Sequence, residues 1–169
     1  MNLRGLIKVA LTPFLLLVLP AAAAYDVRNV TLGAKESDLR KALPGVHCKS
    51  LEWQSKAADR RCDDSRVAFG GIEVQVTFYL RKDTVEAFDV RFDTGSLDKF
   101  VVFLKTRYGA PVADSLDSIE RKGKKAREVR KVSWERAGER AVLVAQLEKR
   151  RASMLVYRGD FEEEIYRVR

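Results

Sequence analysis

Ile72-Glu73-Val74-Gln75-Val76-Thr77-Phe78-Tyr79-Leu80 decides the fold, because every even position is apolar and most odd positions are polar. Side chains on a strand alternate between faces, so this run puts one face on a core and the other toward solvent, as an antiparallel sheet requires. Arg81-Lys82-Asp83-Thr84 then turns the chain back. Phe88, Val90 and Phe92 repeat the pattern in a second strand, with Ala87, Asp89 and Arg91 facing the other way.

Downstream, Ser96 to Tyr108 has Leu97, Phe100, Val101, Leu104 and Tyr108 at helical spacing, and Gly109 and Pro111 end the run. Such a stripe reads as core, so the helix is expected to lie across the apolar sheet face. Strands follow at Ala126 to Glu135, Arg140 to Lys149 and Ser153 to Tyr157, with a turn at Ala137-Gly138. Ala141 to Leu147 is apolar on both faces, which suits a central strand partly covered on its second side. The tail from Phe161 to Arg169 opens on acids and closes on Arg167 and Arg169, compatible with a terminal helical turn or a final strand.

Upstream, a lead strand is expected near Val27 to Thr31. Leu32 to Gly45 then reads as one short amphipathic helix, with Leu39, Ala42 and Leu43 on its apolar face and Pro44-Gly45 as its stop. Cys48 and Cys62 enclose the polar segment from Lys49 to Arg61. The order helix, loop, two strands, helix, three strands predicts an α+β fold. Two helices pack on one face of an antiparallel sheet, and the order suggests two tandem helix-then-strands units.

Residues 1–24 read as an export signal. Arg4 and Lys8 supply a positive start, Val9 to Leu19 an apolar stretch, and Ala22-Ala23-Ala24 a small-residue site for cleavage before Tyr25. The apolar run is too short for a transmembrane span and contains Pro13. No cysteine stands at the cut, so the expected product is a soluble periplasmic protein without a lipid anchor. It keeps 169 minus 24, or 145 residues, which suits one domain over 25–169. Outside the cytoplasm, Cys48 and Cys62 are expected to form a disulfide, whose loop would gain roughly 3 kcal/mol on the chain-entropy model. A metal site is not expected, since two distant cysteines and one histidine, His47, lack zinc-ligand spacing.

The formal charge is +8 over the whole sequence. Arg121, Lys122, Lys124, Lys125, Arg127, Arg130 and Lys131 form its densest basic cluster, seven cations in eleven positions, read as a positive loop feeding a strand. Such a cluster attracts a polyanion through a field that salt screens. It equally serves as a solvated guard that keeps a sheet edge from pairing with other chains. Export argues against nucleic acid and leaves an envelope protein or an anionic envelope polymer as the expected partner.

No catalytic residues are assigned and no cofactor is expected. The sequence lacks a metalloprotease helix motif, a nucleophile-elbow motif and a phosphate-cradling glycine loop. Paired carboxylates at Asp63 and Asp64 and at Glu162 to Glu164 leave a glycoside-cleaving reading as the enzymatic alternative.

Several turn and cap features together resemble a group of small exported proteobacterial proteins. These are Leu32-Gly33-Ala34, Leu43-Pro44-Gly45, the cysteine pair, Gly71-Ile72 and Tyr108-Gly109-Ala110-Pro111. In outline the chain also resembles the SmpA/OmlA-type outer-membrane-assembly lipoproteins and the β-lactamase-inhibitor-like proteins. That resemblance implies a binding protein rather than an enzyme. The expectation is therefore a non-enzymatic cell-envelope protein that binds another macromolecule, with an inhibitor or immunity-type protein against a secreted hydrolase as the alternative.

Overall fold

The computed structural model describes residues 24–121 and 124–165. Residues 1–23 of the expected export signal, Lys122 in the basic cluster, and Arg167 and Arg169 in the tail lie outside them. The chain forms a sheet-dominated α+β fold. After a hairpin of β1 (Asp26–Val27) and β2 (Val30–Thr31) come α1 (Glu36–Ala42), β3 (His47–Ser50), β4 (Arg60–Phe69), β5 (Ile72–Arg81) and β6 (Thr84–Phe92). Then follow α2 (Leu97–Tyr108), β7 (Ala113–Arg121), β8 (Lys124–Arg136), β9 (Glu139–Gln146), β10 (Arg151–Arg158) and α3 (Phe161–Ile165).

Eight strands make one sheet in the order β3-β4-β5-β6-β10-β9-β8-β7, antiparallel throughout. Each of α1 and α2 precedes a four-stranded meander, and the two meanders join through β6 and β10. Short hairpins explain the meanders, since antiparallel neighbours need only tight turns. Gly70 and Gly71, at φ +61° and +73°, supply the turn between β4 and β5 that side chains with a Cβ rarely allow.

The alternation of β5 places Val74, Val76, Phe78 and Leu80 in the main core, together with Phe88, Val90 and Phe92 of β6. Leu39 and Leu43 from the α1 region join the same cluster, as do Leu97, Phe100, Val101 and Leu104 of α2. On β9, Ala141, Leu143 and Ala145 face this core while Val142 and Val144 stay half-buried on the other side, so the strand is central and partly covered. Trp134 is buried and donates from Nε1 to the Gly109 carbonyl at 2.9 Å, fixing the end of α2 against β8.

Several expectations are corrected. The first helix spans only Glu36–Ala42, because Leu32 to Ala34 are taken up by backbone bonding to β6: Gly33 N–H donates to Val85 and Val85 N–H to Ala34. The segment between the cysteines is not one loop, since Lys49-Ser50 and Arg60-Arg61 lie in strands. His47 is the first residue of β3. A third helix, α3, lies on the second face of the sheet, where Phe161 and Ile165 pack with Tyr79, Ala87 and Tyr157. Trp53 Nε1 donates to the Ile165 carbonyl at 2.7 Å and the Ser55 hydroxyl to that of Glu164 at 3.0 Å, tying α3 to the loop after β3.

Candidate functional site

Cys48 and Cys62 face each other across β3 and β4 and form a disulfide. The bridge fastens an edge strand of only four residues to its neighbour, and it consumes both thiols. Glu36 stands near the two sulfurs but takes Arg40 and Arg60 at 2.7 and 3.3 Å. The trio is therefore a disulfide beside an ion-paired carboxylate.

Most of the basic cluster lies in strands that begin earlier than the expected Ala126. Arg121 ends β7, while Lys124, Lys125, Arg127, Arg130 and Lys131 lie on β8. Arg130 is taken by structure: Nε and Nη2 reach both oxygens of Asp114 at 3.1 Å, and Nη1 reaches Asp98 at 3.2 Å. Paired guanidinium and carboxylate forks of this kind are directional as well as attractive. The Arg130 hydrogen bonds hold the Asp114 carboxyl below its usual range. Arg130 thus joins β7, β8 and the start of α2. On the open side of β8, Arg127 and Lys131 enter no ion pair among the described residues.

Strand register gathers these two with cations that are scattered along the chain. Odd positions of β5, and of β6 from Ala87 onward, turn away from the main core, and the pairing sets Gln75, Arg91, Ser153, Val144 and Lys131 side by side across five strands. The next row contains Arg151, Gln146, Val129 and Asp117, and beyond it Arg127 lies opposite Ile119. Lys149 and Arg150, in the turn before β10, rim the same end of the face. There a groove of about 810 Å³ opens, floored by β5, β6, β9 and β10. α3 covers the other end with Phe161 and Ile165, and among the described residues no helix covers the end that holds the groove.

The groove is predominantly cationic. Arg91, Lys149, Arg150 and Arg151 line it against Glu73 and Asp93. Asp93 is already engaged by Arg150 at 3.2 Å and by the Gly95 N–H at 2.7 Å. Beside the groove, the buried Asp89 accepts from Arg91 Nε at 2.6 Å. Burial pushes the Asp89 carboxyl up despite the opposing Arg91 charge. Between the cations stand hydrogen-bonding Gln75, Gln146 and Ser153 and the half-buried Val144. That mixture can pair with carboxylates or phosphates and also bury apolar surface.

Arg91 is legible in the sequence as an outward-facing residue, whereas Lys149-Arg150-Arg151 follows no strand or helix period. Three adjacent cations at a strand boundary were the available signal, but only the β9–β10 register shows that they meet Arg91. Of the paired carboxylates, Asp63, Asp64 and Glu162 have structural contacts. Asp63 accepts from Thr77 at 2.8 Å, Asp64 from the Arg66 N–H at 3.1 Å, and Glu162 from the Tyr157 hydroxyl at 3.0 Å.

Compared with protein-family models, curated proteins and solved structures, the chain matches none. No helix among the described residues is long and apolar enough to cross a membrane.

Proposed function

We propose that this is an exported, non-enzymatic cell-envelope protein that binds an acidic macromolecule on the open half of its second sheet face. The observation that carries the reading is the convergence of Arg91, Lys149, Arg150 and Arg151 on one uncovered groove, with Lys131 in the same cross-strand row as Arg91. Sheet faces normally gain stability by being covered, and arginine, which supplies three of the four cations here, is enriched in binding surfaces. Export is supported by the signal-like residues 1–24 and by the disulfide, which persists in oxidising compartments.

The groove favours a protein partner over a uniform polyanion, because Val144 and the amides alternate with the cations. An inhibitor or immunity-type role against a secreted hydrolase is the second reading, favoured by the same face if its target presents acids. The test is capture from envelope extracts by the processed chain and by the double variant Arg91→Glu/Arg151→Glu, each at low and moderate salt. A partner held by the native chain and lost by the variant supports the proposal. Recovery of the same proteins by both removes it. An inhibition panel of wall-active hydrolases and proteases separates the second reading from the first.

A further inference from the structure

β7 is the last strand of the sheet, and among the described residues it pairs with β8 alone. Every residue from Val112 to Glu120 is exposed. An edge strand turns a row of backbone donors and acceptors to solvent. Which residues supply that row follows from Glu128, whose N–H donates to the Glu148 carboxylate and therefore points away from β7. Residues directly opposite in an antiparallel pair either bond to each other or both turn away, so Ser118, opposite Glu128, turns its N–H and C=O to the free edge. The register runs unbroken from Ala113 to Ile119, which gives Asp114 and Leu116 the same direction.

Exposed apolar side chains gather at this edge. Val102, Val112, Leu116 and Ile119 are the large ones left exposed among the described residues, at 64, 65, 61 and 49%. Three of them fall within 112–119. Val102 stands on the flank of α2 that meets the β7–β8 pair, one turn from Asp98, which binds Arg130, and three residues from Lys105, which binds Asp114. Single exposed apolar residues need no explanation, but their concentration along one unpaired edge marks an interaction surface.

The sequence of the edge selects its partner. An added antiparallel strand must match the outward-turned residues of β7 with outward-turned residues of its own. When β7 meets a second β7 about a two-fold axis at Leu116, Leu116 faces its copy, Asp114 faces Ser118, Ser115 faces Asp117 and Ala113 faces Ile119. Each acid in that register has a hydroxyl opposite, and each apolar side chain an apolar one. Centring the pair on Asp117 instead sets Asp117 against its copy and Asp114 against Glu120, and centring it on Ser115 sets Asp114 against Leu116. Like charges directly opposite destabilise a sheet, so β7 is self-complementary in the Leu116 register. Leu116 lies opposite Arg130, on the α2 side of the sheet, which brings the Leu116 pair to the same side as Val102.

We propose that β7 is a homodimer edge, at which two copies of this chain pair β7 with β7 about Leu116 into one continuous antiparallel sheet. Such a contact is self-complementary and closes at two subunits. The cationic groove on β5, β6, β9 and β10 takes no part in it, so this inference and the proposed partner site fail separately.

The experiment is sedimentation velocity over a range of concentrations on the chain recovered after export, with its amino terminus checked by mass. A reversible monomer–dimer equilibrium is expected. Leu116→Lys sets like charges face to face at the axis and should raise the dimer Kd by about tenfold or more, whereas Arg91→Glu/Arg151→Glu should dimerise as the native chain does. Register is read by cross-linking. Cα atoms about 5.5 Å apart across a bonded pair lie within disulfide reach, so Leu116→Cys should oxidise to a covalent dimer much faster than Ser118→Cys, which faces Asp114. Circular dichroism establishes that each variant is folded, and the cross-linking comparison stands without the lysine variant. A chain that stays monomeric at every concentration, assemblies that keep growing beyond two copies, or a dimer indifferent to a folded Leu116→Lys variant would overturn the proposal. Equal cross-linking at positions 116 and 118 would do the same.

Discussion

Asp89 sits where two costs meet: its carboxylate is buried beside the open face, and Arg91, although 2.6 Å away, is itself largely exposed. An exposed partner repays only part of a desolvation cost, which is why the carboxyl is displaced upward. The folded state then binds this proton more tightly than the unfolded chain does. Stability from Asp89 is present at low pH and is lost as pH rises through the folded value. Asp89→Asn should therefore raise the denaturant midpoint at about pH 7, with the gap closing toward about pH 4, the ordinary carboxyl range. A lower midpoint for the Asn variant at neutral pH would mean that the Arg91 bond outweighs burial. Cys48 and Cys62 give a second test at this scale. Cys48→Ser/Cys62→Ser should cost roughly 3 kcal/mol of unfolding free energy, read from chemical denaturation, because it frees the segment that the bridge closes at the sheet edge.

At the scale of elements, legibility followed burial. β5 and β6 were plain in the sequence because one face of each is sealed by the core, so Val74 to Phe78 and Phe88 to Phe92 alternate cleanly. β7 was invisible because its residues from Ala113 to Glu120 are all exposed, and an exposed edge strand imposes no apolar period. β4 was hidden differently: the register shift between Asp64 and Val67 breaks its alternation midway, and its first half is polar on both faces apart from Cys62. The start of β8 at Lys124 and Lys125 is hidden for the same reason, since its pairing with β7 rests on backbone bonds rather than a pattern of side chains, whereas Ala126 to Glu135 reads as a strand. Gly70 tests the hairpin that orders this half of the sheet. A Cβ there would meet Phe103 Cδ1 at 2.7 Å, with φ at +61°. Gly70→Ala should lower stability by about 1–3 kcal/mol, whereas Gly109→Ala has no neighbour within 4 Å and carries only the cost of positive φ. Equal melting temperatures for native and Gly70→Ala chains would contradict this account of the turn.

For the whole molecule, the joining of two helix-plus-four-strand meanders through β6 and β10 creates one broad sheet with two unlike faces. α1 and α2 supply apolar side chains to one face. The single five-residue α3 reaches only part of the other, and the remainder carries the cations. Their count was readable in the sequence, but their convergence was not, because Arg91, Lys131 and Arg151 come from separate strands that only register brings together. This geometry predicts a salt-sensitive partner interaction governed by residues distant from one another in the chain. The decisive measurement is affinity capture from envelope extracts by the processed native chain against Arg91→Glu/Arg151→Glu, with both proteins confirmed folded by circular dichroism. The account predicts that the native chain retains an acidic partner at low salt and releases it as salt rises, while the variant fails to retain it. Identical recovery by the two chains, or no partner for the native chain at either salt concentration, would contradict it.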